Sequence, residues 1–151
     1  MRLCYQYDIV EAEGEKFVEF ASFPEIICTV SDDEIKSGEA DDIALDALLN
    51  ALQVRMNYSD ELPPPDEVSI GQEKEVCIIS PLISGKVILY RQFQEMGVTR
   101  AEFARRAGCS SATAVNRLFD LSHASRFELL TEAFDALGLI LEPDFKLRKR
   151  A

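Results

Sequence analysis

Histidine is almost missing from this chain: His123 is the only one in 151 residues. The four cysteines, Cys4, Cys28, Cys77 and Cys109, form no C-x-x-C pair, and His123 has no ligand set around it. These scarcities remove the usual spacings of a zinc site. They also leave no Ser/His/Asp arrangement, and no nucleotide-binding glycine loop is present. No apolar run approaches the roughly 20 residues needed to cross a bilayer. Tyr7-Asp8 and Glu11-Ala-Glu13 interrupt any secretory h-region after Met1. The expectation is a cytoplasmic protein with no metal, no cofactor and no membrane partner. In a reducing cytosol, Cys4, Cys28 and Cys77, set in apolar strand-like runs, behave as small buried hydrophobes.

Basic residues are outnumbered as well, 16 Lys+Arg against 27 Asp+Glu, for a net charge of −11. The imbalance is not uniform. Residues 1–80 carry 5 basic and 19 acidic residues, a net −14, whereas residues 81–151 carry 11 and 8, a net +3. Such asymmetry points to two halves with different partners. Hydrophobic residues make up 47% of the chain, enough for one full core or two small ones.

Residues 3–10 are rich in strand formers, and Glu11–Lys16, with Gly14, reads as a hairpin turn. Phe17–Phe20 reads as the return strand, Ala21–Glu25 as a break at Pro24, and Ile26–Val30 as a third strand, giving an antiparallel meander. Ser31–Asp42 is polar and reads as a loop. A helix is expected from about Asp42 to Tyr58, with Ile43, Leu45, Leu48, Leu49, Leu52 and Met56 near a 3.6 period. Pro63-Pro64-Pro65 reads as a loop within the same domain, because Glu75–Ser80 has the pattern of a fourth strand, either central or at an edge. Pro81 marks a change to helical patterning. Ser84 is expected to cap a helix over Gly85–Met96, and Arg126–Leu137 to form a later one with Phe127, Leu130, Phe134 and Leu137 inward. Leu139–Leu141 reads as a short strand offering an edge to a second copy. The basic end, Arg148–Arg150, reads as frayed.

The most specific signal lies between these helices. Thr99 with Glu102 makes a capping box, Phe103, Ala104 and Ala107 provide a packing face, and Gly108 ends the helix. Ser110 or Ser111 then caps a second helix whose inner face is Ala112, Val115, Leu118 and Phe119. This is the spacing of a helix-turn-helix, whose second helix can lie in a DNA major groove. Its outward positions are Ser111, Thr113, Ala114 and Arg117, of which Arg117 can fork onto a guanine, while Thr113 and Ala114 can meet a thymine methyl. Arg105 and Arg106 on the first helix suit phosphate contact, as do the hydroxyls of Thr99, Ser110 and Ser122. The bland alternatives are helix caps for the hydroxyls, a solvated face for the arginines and a packed or capping role for His123.

Two groups of residues together carry a family resemblance. One is Phe17-Val-Glu-Phe-Ala-Ser-Phe-Pro-Glu25, with Thr29 and the later Ala44, Ala47 and Leu48. The other is Phe103-Ala-Arg-Arg-Ala-Gly108 with Val115-Asn-Arg-Leu-Phe-Asp-Leu121, His123–Arg126 and Ala136-Leu-Gly138. The sequence resembles the HicB family of bacterial antitoxins, in the branch whose C-terminal module is a helix-turn-helix. It departs from that pattern where Val30–Glu39 replaces a shorter Gly-acid-Thr turn. The resemblance implies an α+β protein. Residues 1–81 would form a small antiparallel sheet with one covering helix, truncated ribonuclease H-like, that binds the toxin. Residues 82–151 would form an all-α helix-turn-helix with a short terminal strand, for DNA binding and dimerisation.

The resemblance further implies two partners, a HicA-like RNA-cleaving toxin and double-stranded operator DNA, with the protein itself a homodimer or higher homo-oligomer. A cationic toxin suits an acidic domain. The toxin-binding candidates are Phe17, Glu19, Phe20, Phe23 and Glu25, with Phe23 beside Pro24 expected to project. A ribonuclease H-like core raises the question of catalysis, which needs carboxylates converging on two cations about 4 Å apart. Asp8 finds no acidic partner in Val76–Ser80, and Asp42 and Asp46 have the ordinary role of charges near a helix N-terminus. No catalytic residue is assigned, and the chain is not expected to be an enzyme. The competing reading is a stand-alone helix-turn-helix regulator whose acidic domain binds a ligand or another protein.

Overall fold

The computed structural model describes residues 3–68 and 75–143. They form an α+β architecture that divides into two compact units, one over residues 3–79 and one from residue 80 onward. Among the described residues no helix is long and apolar enough to cross a membrane.

In the first unit the expected opening strand is split. β1 (Cys4–Gln6) pairs antiparallel with β5 (Val76–Ile78), whereas β2 (Asp8–Ala12) pairs with β3 (Glu15–Phe20). The switch falls at Tyr7, whose N–H donates to the Glu75 carbonyl at 2.9 Å. The fourth predicted strand therefore joins β1 in a two-stranded ladder rather than extending the meander. β2 and β3 are joined by Glu13 and Gly14, both with positive φ (53° and 80°). That conformation matches the twist of a two-residue hairpin.

β3 then pairs with β4 (Phe23–Val30), which begins earlier than expected. Pro24 does not break it. The register steps from Glu19↔Ile27 to Phe20↔Phe23, so Pro24 lies in a bulged stretch where no ladder donor is required.

Ser31–Asp42, expected as a loop, instead contains α1 (Asp32–Ser37) and the first turn of the next helix. Ser31 and Glu34 form a full capping box, and Gly38, at φ 86°, turns the chain into α2 (Glu39–Asn57). The buried stripe of α2 is Ala40, Ala44, Leu48, Leu52 and Met56 at strict four-residue spacing, while Ile43, Leu45 and Leu49 are half-buried. This stripe packs on β4 and β5, over a core with Tyr5, Tyr7, Val18, Phe20, Phe23, Ile26 and Val30. The proline stretch stays with this unit. The Tyr5 hydroxyl donates to the Pro63 carbonyl at 2.8 Å, and the Asp66 N–H donates to the Cys4 carbonyl at 2.9 Å.

The second unit is helical. α3 (Pro81–Met96) starts a turn earlier than expected, because Ser80 is its N-cap and Pro81 fills the first helical position, where a missing N–H costs nothing. α4 (Arg100–Arg106) and α5 (Ala112–Leu118) follow, then a turn over 120–125 and α6 (Phe127–Ala136). Tyr90, Phe93, Phe103 and Phe119 interlock at the centre with ring centroids 5.4–5.9 Å apart. In α6 the buried residues are Leu130, Ala133 and Phe134, while Phe127 and Leu137 are only half-buried.

The strand expected at Leu139–Leu141 is absent. The Leu139 and Gly138 N–H groups donate to the carbonyls of Phe134 and Asp135 at 2.9 Å, closing α6 in a Schellman motif. Among the described residues no strand of this unit offers it a ladder partner, and Ile140 is 82% exposed. The basic end, Arg148–Arg150, lies outside the described residues.

One side chain fixes how α5 ends. Lys86, on α3, is fully buried. Its ammonium donates to the carbonyls of Asp120 and His123 at 2.6 Å and of Arg117 at 3.3 Å. A helix C-terminus leaves carbonyls without intrahelical partners, and a cation there satisfies both their hydrogen-bonding need and their dipole. Burial pushes the Lys86 pKa down, with the Asp120 carboxylate opposing. The unfolded chain holds that proton more tightly, so this penalty fades as the pH rises toward the ordinary lysine range. Lys86→Ala would take the charged donor from three carbonyls that each keep one backbone N–H, and would leave a cavity beneath the end of α5. The expected outcome in urea unfolding is a loss of about 2–4 kcal/mol, with α5 the first element to lose amide protection.

Candidate functional site

The α4–α5 pair is built from short local rules. The Thr99 hydroxyl accepts from the Glu102 N–H at 3.2 Å and starts α4. Gly108, at φ 68°, supplies the left-handed turn. Of the two candidate serines, Ser111 caps α5, accepting from the Ala114 N–H at 3.3 Å, and Ser110 is exposed. Phe103, Ala104, Val115 and Leu118 face inward. Thr113, Asn116 and Arg117 face solvent, whereas Ala114, expected outward, is half-buried.

The capping box at Thr99 is only half made. The Glu102 carboxylate does not return to the cap. It accepts from Arg105 Nε and Nη2 at 2.9 and 2.7 Å, and from Arg106 Nε at 2.7 Å. Three- and four-residue spacing puts both arginines on its face of the helix. Those bonds, Arg105's first, pull the Glu102 pKa down to about 2. The two arginine side chains remain 72% and 46% exposed, so an incoming anion can reach them in competition with Glu102. Ser122 is also engaged: its hydroxyl and N–H both donate to Asp120, at 2.6 and 2.9 Å, which lowers the Asp120 pKa. The His123 ring lies 3.1 Å from the Ser125 hydroxyl.

Sequence reasoning missed three residues here. Lys86 is a single lysine inside the apolar run Ile83–Tyr90, which is a visible signal of a buried, paired charge. Arg100, the first residue of α4, stacks over the rings of Phe93 (5.8 Å) and Phe119 (5.3 Å). It also donates to Asn116 Oδ1 at 2.7 Å. No sequence spacing announces that link, because residues 16 apart meet only once the two helices are packed.

In the first unit, alternation along β3 and β4 separates the toxin-face candidates. Phe20 and Phe23 are core residues, 2% and 0% exposed, which corrects the expectation that Phe23 projects. Tyr5 meets the Phe23 ring edge-on at 5.2 Å, and the Arg55 guanidinium lies 4.9 Å from its centroid. Glu25 is exposed and holds Arg55 through two bonds, at 2.7 and 3.1 Å, which lower the Glu25 pKa. Glu19 is exposed and Phe17 half-buried, opposite Ile27 and Thr29 respectively. Ile27 itself is 65% exposed. It was passed over because Ile26-Ile27 reads as a continuous apolar pair, of which a strand can bury only one on each face.

Cys4 and Cys77 are buried and Cys28 half-buried, all as free thiols. Burial pushes Cys77 up to about 12, so it stays protonated. The Tyr7 hydroxyl donates to Asp41, and burial raises the Tyr7 pKa. Asp8, Asp42 and Asp46 are exposed, and among the described residues no group of three His, Cys, Asp or Glu could hold a metal ion.

The Glu102 arrangement yields a pH test. Its folded-state pKa lies below its ordinary value of 4.5, so its stabilisation is present above that value and is lost as the pH falls toward 2. A carboxyl NMR titration should place its midpoint near 2. Replacing both Arg105 and Arg106 by Ala should move the midpoint up toward 4.5 and flatten the acid loss of stability below pH 4.5.

No family model matches the chain. Curated relatives do. It is 30% identical over 126 residues to "Antitoxin HicB 1" of Photorhabdus laumondii subsp. laumondii, covering 83% of this chain and 76% of that protein. It is 32% identical over 136 residues to "Antitoxin HicB" of Pseudomonas fluorescens, covering 89% and 88%. With "Antitoxin HicB" of Escherichia coli K12 it shares 32% over 130 residues, 83% and 86% of the two chains. With identity at this level running through both units, the chain belongs to the HicB antitoxin family.

Proposed function

We propose that this protein is a cytoplasmic, non-enzymatic antitoxin that neutralises a HicA-like RNA-cleaving toxin through its N-terminal unit and represses its own operon through its C-terminal unit. The observation that carries the second half is α5. Its inner face is locked into the aromatic core, while Thr113, Asn116 and Arg117 stand exposed on a helix entered through a glycine turn. We read α4 and α5 as a helix-turn-helix with α5 in the major groove of operator DNA. Arg117 contacts a base, with Thr113 and Ala114 beside it. Arg105, Arg106 and the hydroxyls of Thr99, Ser110, Ser111 and Ser122 face the backbone. Arg105 and Arg106 exchange Glu102 for phosphate on binding.

The N-terminal unit, which we read as a truncated ribonuclease H-like sheet with one long covering helix, meets the toxin through the face bearing Phe17, Glu19 and Ile27. Glu25 contributes charge from its pair with Arg55. An exposed isoleucine paired across the sheet with Glu19, itself opposite Asp8, suits a cationic partner with a small apolar anchor. The protein works as a homodimer or higher homo-oligomer, in line with the two half-sites that such readers span. Ile140, exposed just past α6, is an apolar residue available to a second copy.

Two substitutions in the full chain separate the two roles. Arg117→Ala is expected to weaken binding to the DNA upstream of its own gene by about 1–3 kcal/mol in a gel-shift titration, leaving toxin protection intact. Equal affinity would remove Arg117 from the interface. Ile27→Arg should weaken toxin binding by about 2 kcal/mol in calorimetry and abolish growth rescue, with DNA affinity unchanged. Full rescue by that variant would move the toxin face elsewhere.

A further inference from the structure

The exposed face of α5 carries one polar side chain that is already held before any ligand arrives. Arg100 lies against Phe93 and Phe119, with its guanidinium carbon 5.8 and 5.3 Å from the ring centroids, and from that seat Nη1 donates to Asn116 Oδ1 at 2.7 Å. A guanidinium only donates. It therefore decides which way the amide is turned: the oxygen toward Arg100, the amino group away from it. Asn116 is exposed, adjacent to Arg117 and one turn from Thr113. Stacking on two rings and the bond to Asn116 restrict both side chains together, so the amide is presented with little further loss of rotamer freedom.

We infer, resting on the reading of α5 as the groove-bound helix, that Asn116 is a base-specificity residue tuned by Arg100 to read guanine. An asparagine recognises adenine by a fork in which the oxygen accepts from N6 and the amino group donates to N7. Arg100 turns that oxygen out of the fork. What remains toward the groove is a donor pair, and the base edge offering two neighbouring acceptors is guanine, with O6 and N7. Arg100 is then a positioning residue: it touches no base, and it changes which base its neighbour prefers.

The test uses the full chain and a pool of randomised DNA duplexes, sequencing the bound fraction. The wild type should enrich a motif containing a guanine whose enrichment falls roughly tenfold in Asn116→Ala, with the other positions unchanged. Asn116→Asp keeps the bond to Arg100 but offers an acceptor outward, and should convert that guanine to cytosine, whose edge presents a donor. Arg100→Met releases the amide and should shift the same position toward adenine. A motif identical in wild type and Asn116→Ala overturns this assignment while leaving DNA binding by α5 intact. So does an adenine, rather than a guanine, lost with Asn116. A wild type that enriches no motif overturns the underlying reading, and this assignment with it. Asn116 is exposed, so its two variants report on recognition without disturbing the core.

Discussion

The arrangement of the C-terminal unit hangs on a buried ammonium. Lys86 sits with no exposure beneath the end of α5 and gathers the carbonyls of Arg117, Asp120 and His123 around itself. A seven-residue helix such as α5 has little intrinsic stability, since nucleation costs more than so few turns recover. Tertiary anchors must therefore hold it at both ends. Ser111 does so at the start, Val115, Leu118 and Phe119 along the inner face, and Lys86 at the finish. The outward residues of α5 are presented on a ridge whose position α3 dictates. Arg100 adds a second tie, from the start of α4 across the aromatic cluster to Asn116.

The N-terminal unit solves a different problem by different means. Its three-stranded sheet has one face covered by the small-residue and leucine stripe of α2 and leaves the other to solvent. Alternation then does the sorting, with Val18 inward and Glu19 outward, Ile26 inward and Ile27 outward. Acidic residues crowd the first turns of α1 and α2, where helix dipoles favour them. The charge asymmetry of the sequence thus shows locally, in acidic helix starts and Glu19 opposite Ile27 in the first unit, and in arginines held by a single glutamate in the second.

Much of this was legible in the residues. Gly14 and Gly108 mark turns because a left-handed residue is needed there, and the Thr99 and Ser111 caps follow from hydroxyls placed at helix starts. Tertiary context overrode local signals elsewhere. Ser31–Asp42 looked like a loop because its polarity masked a capping box, and Pro24 looked like a break because a bulge cannot be read from one strand alone. Leu139–Leu141 had strand composition but no ladder to join among the described residues. At the site, the exposure of Thr113 and Arg117 followed from the period of α5, whereas Ala114 is half-buried and Asn116, not singled out, is exposed. The burial of Phe23 and the Arg100–Asn116 link came only from packing.

In the proposed division of labour, α5 reads DNA and the sheet meets a protein. Amide NMR of the full chain, titrated first with a duplex from upstream of its gene and then with the neighbouring toxin, addresses both at once. The account predicts that DNA perturbs Thr113, Asn116 and Arg117 and leaves Glu19 and Ile27 unmoved, and that the toxin does the reverse. DNA-induced shifts confined to the sheet, with α5 silent, would contradict it.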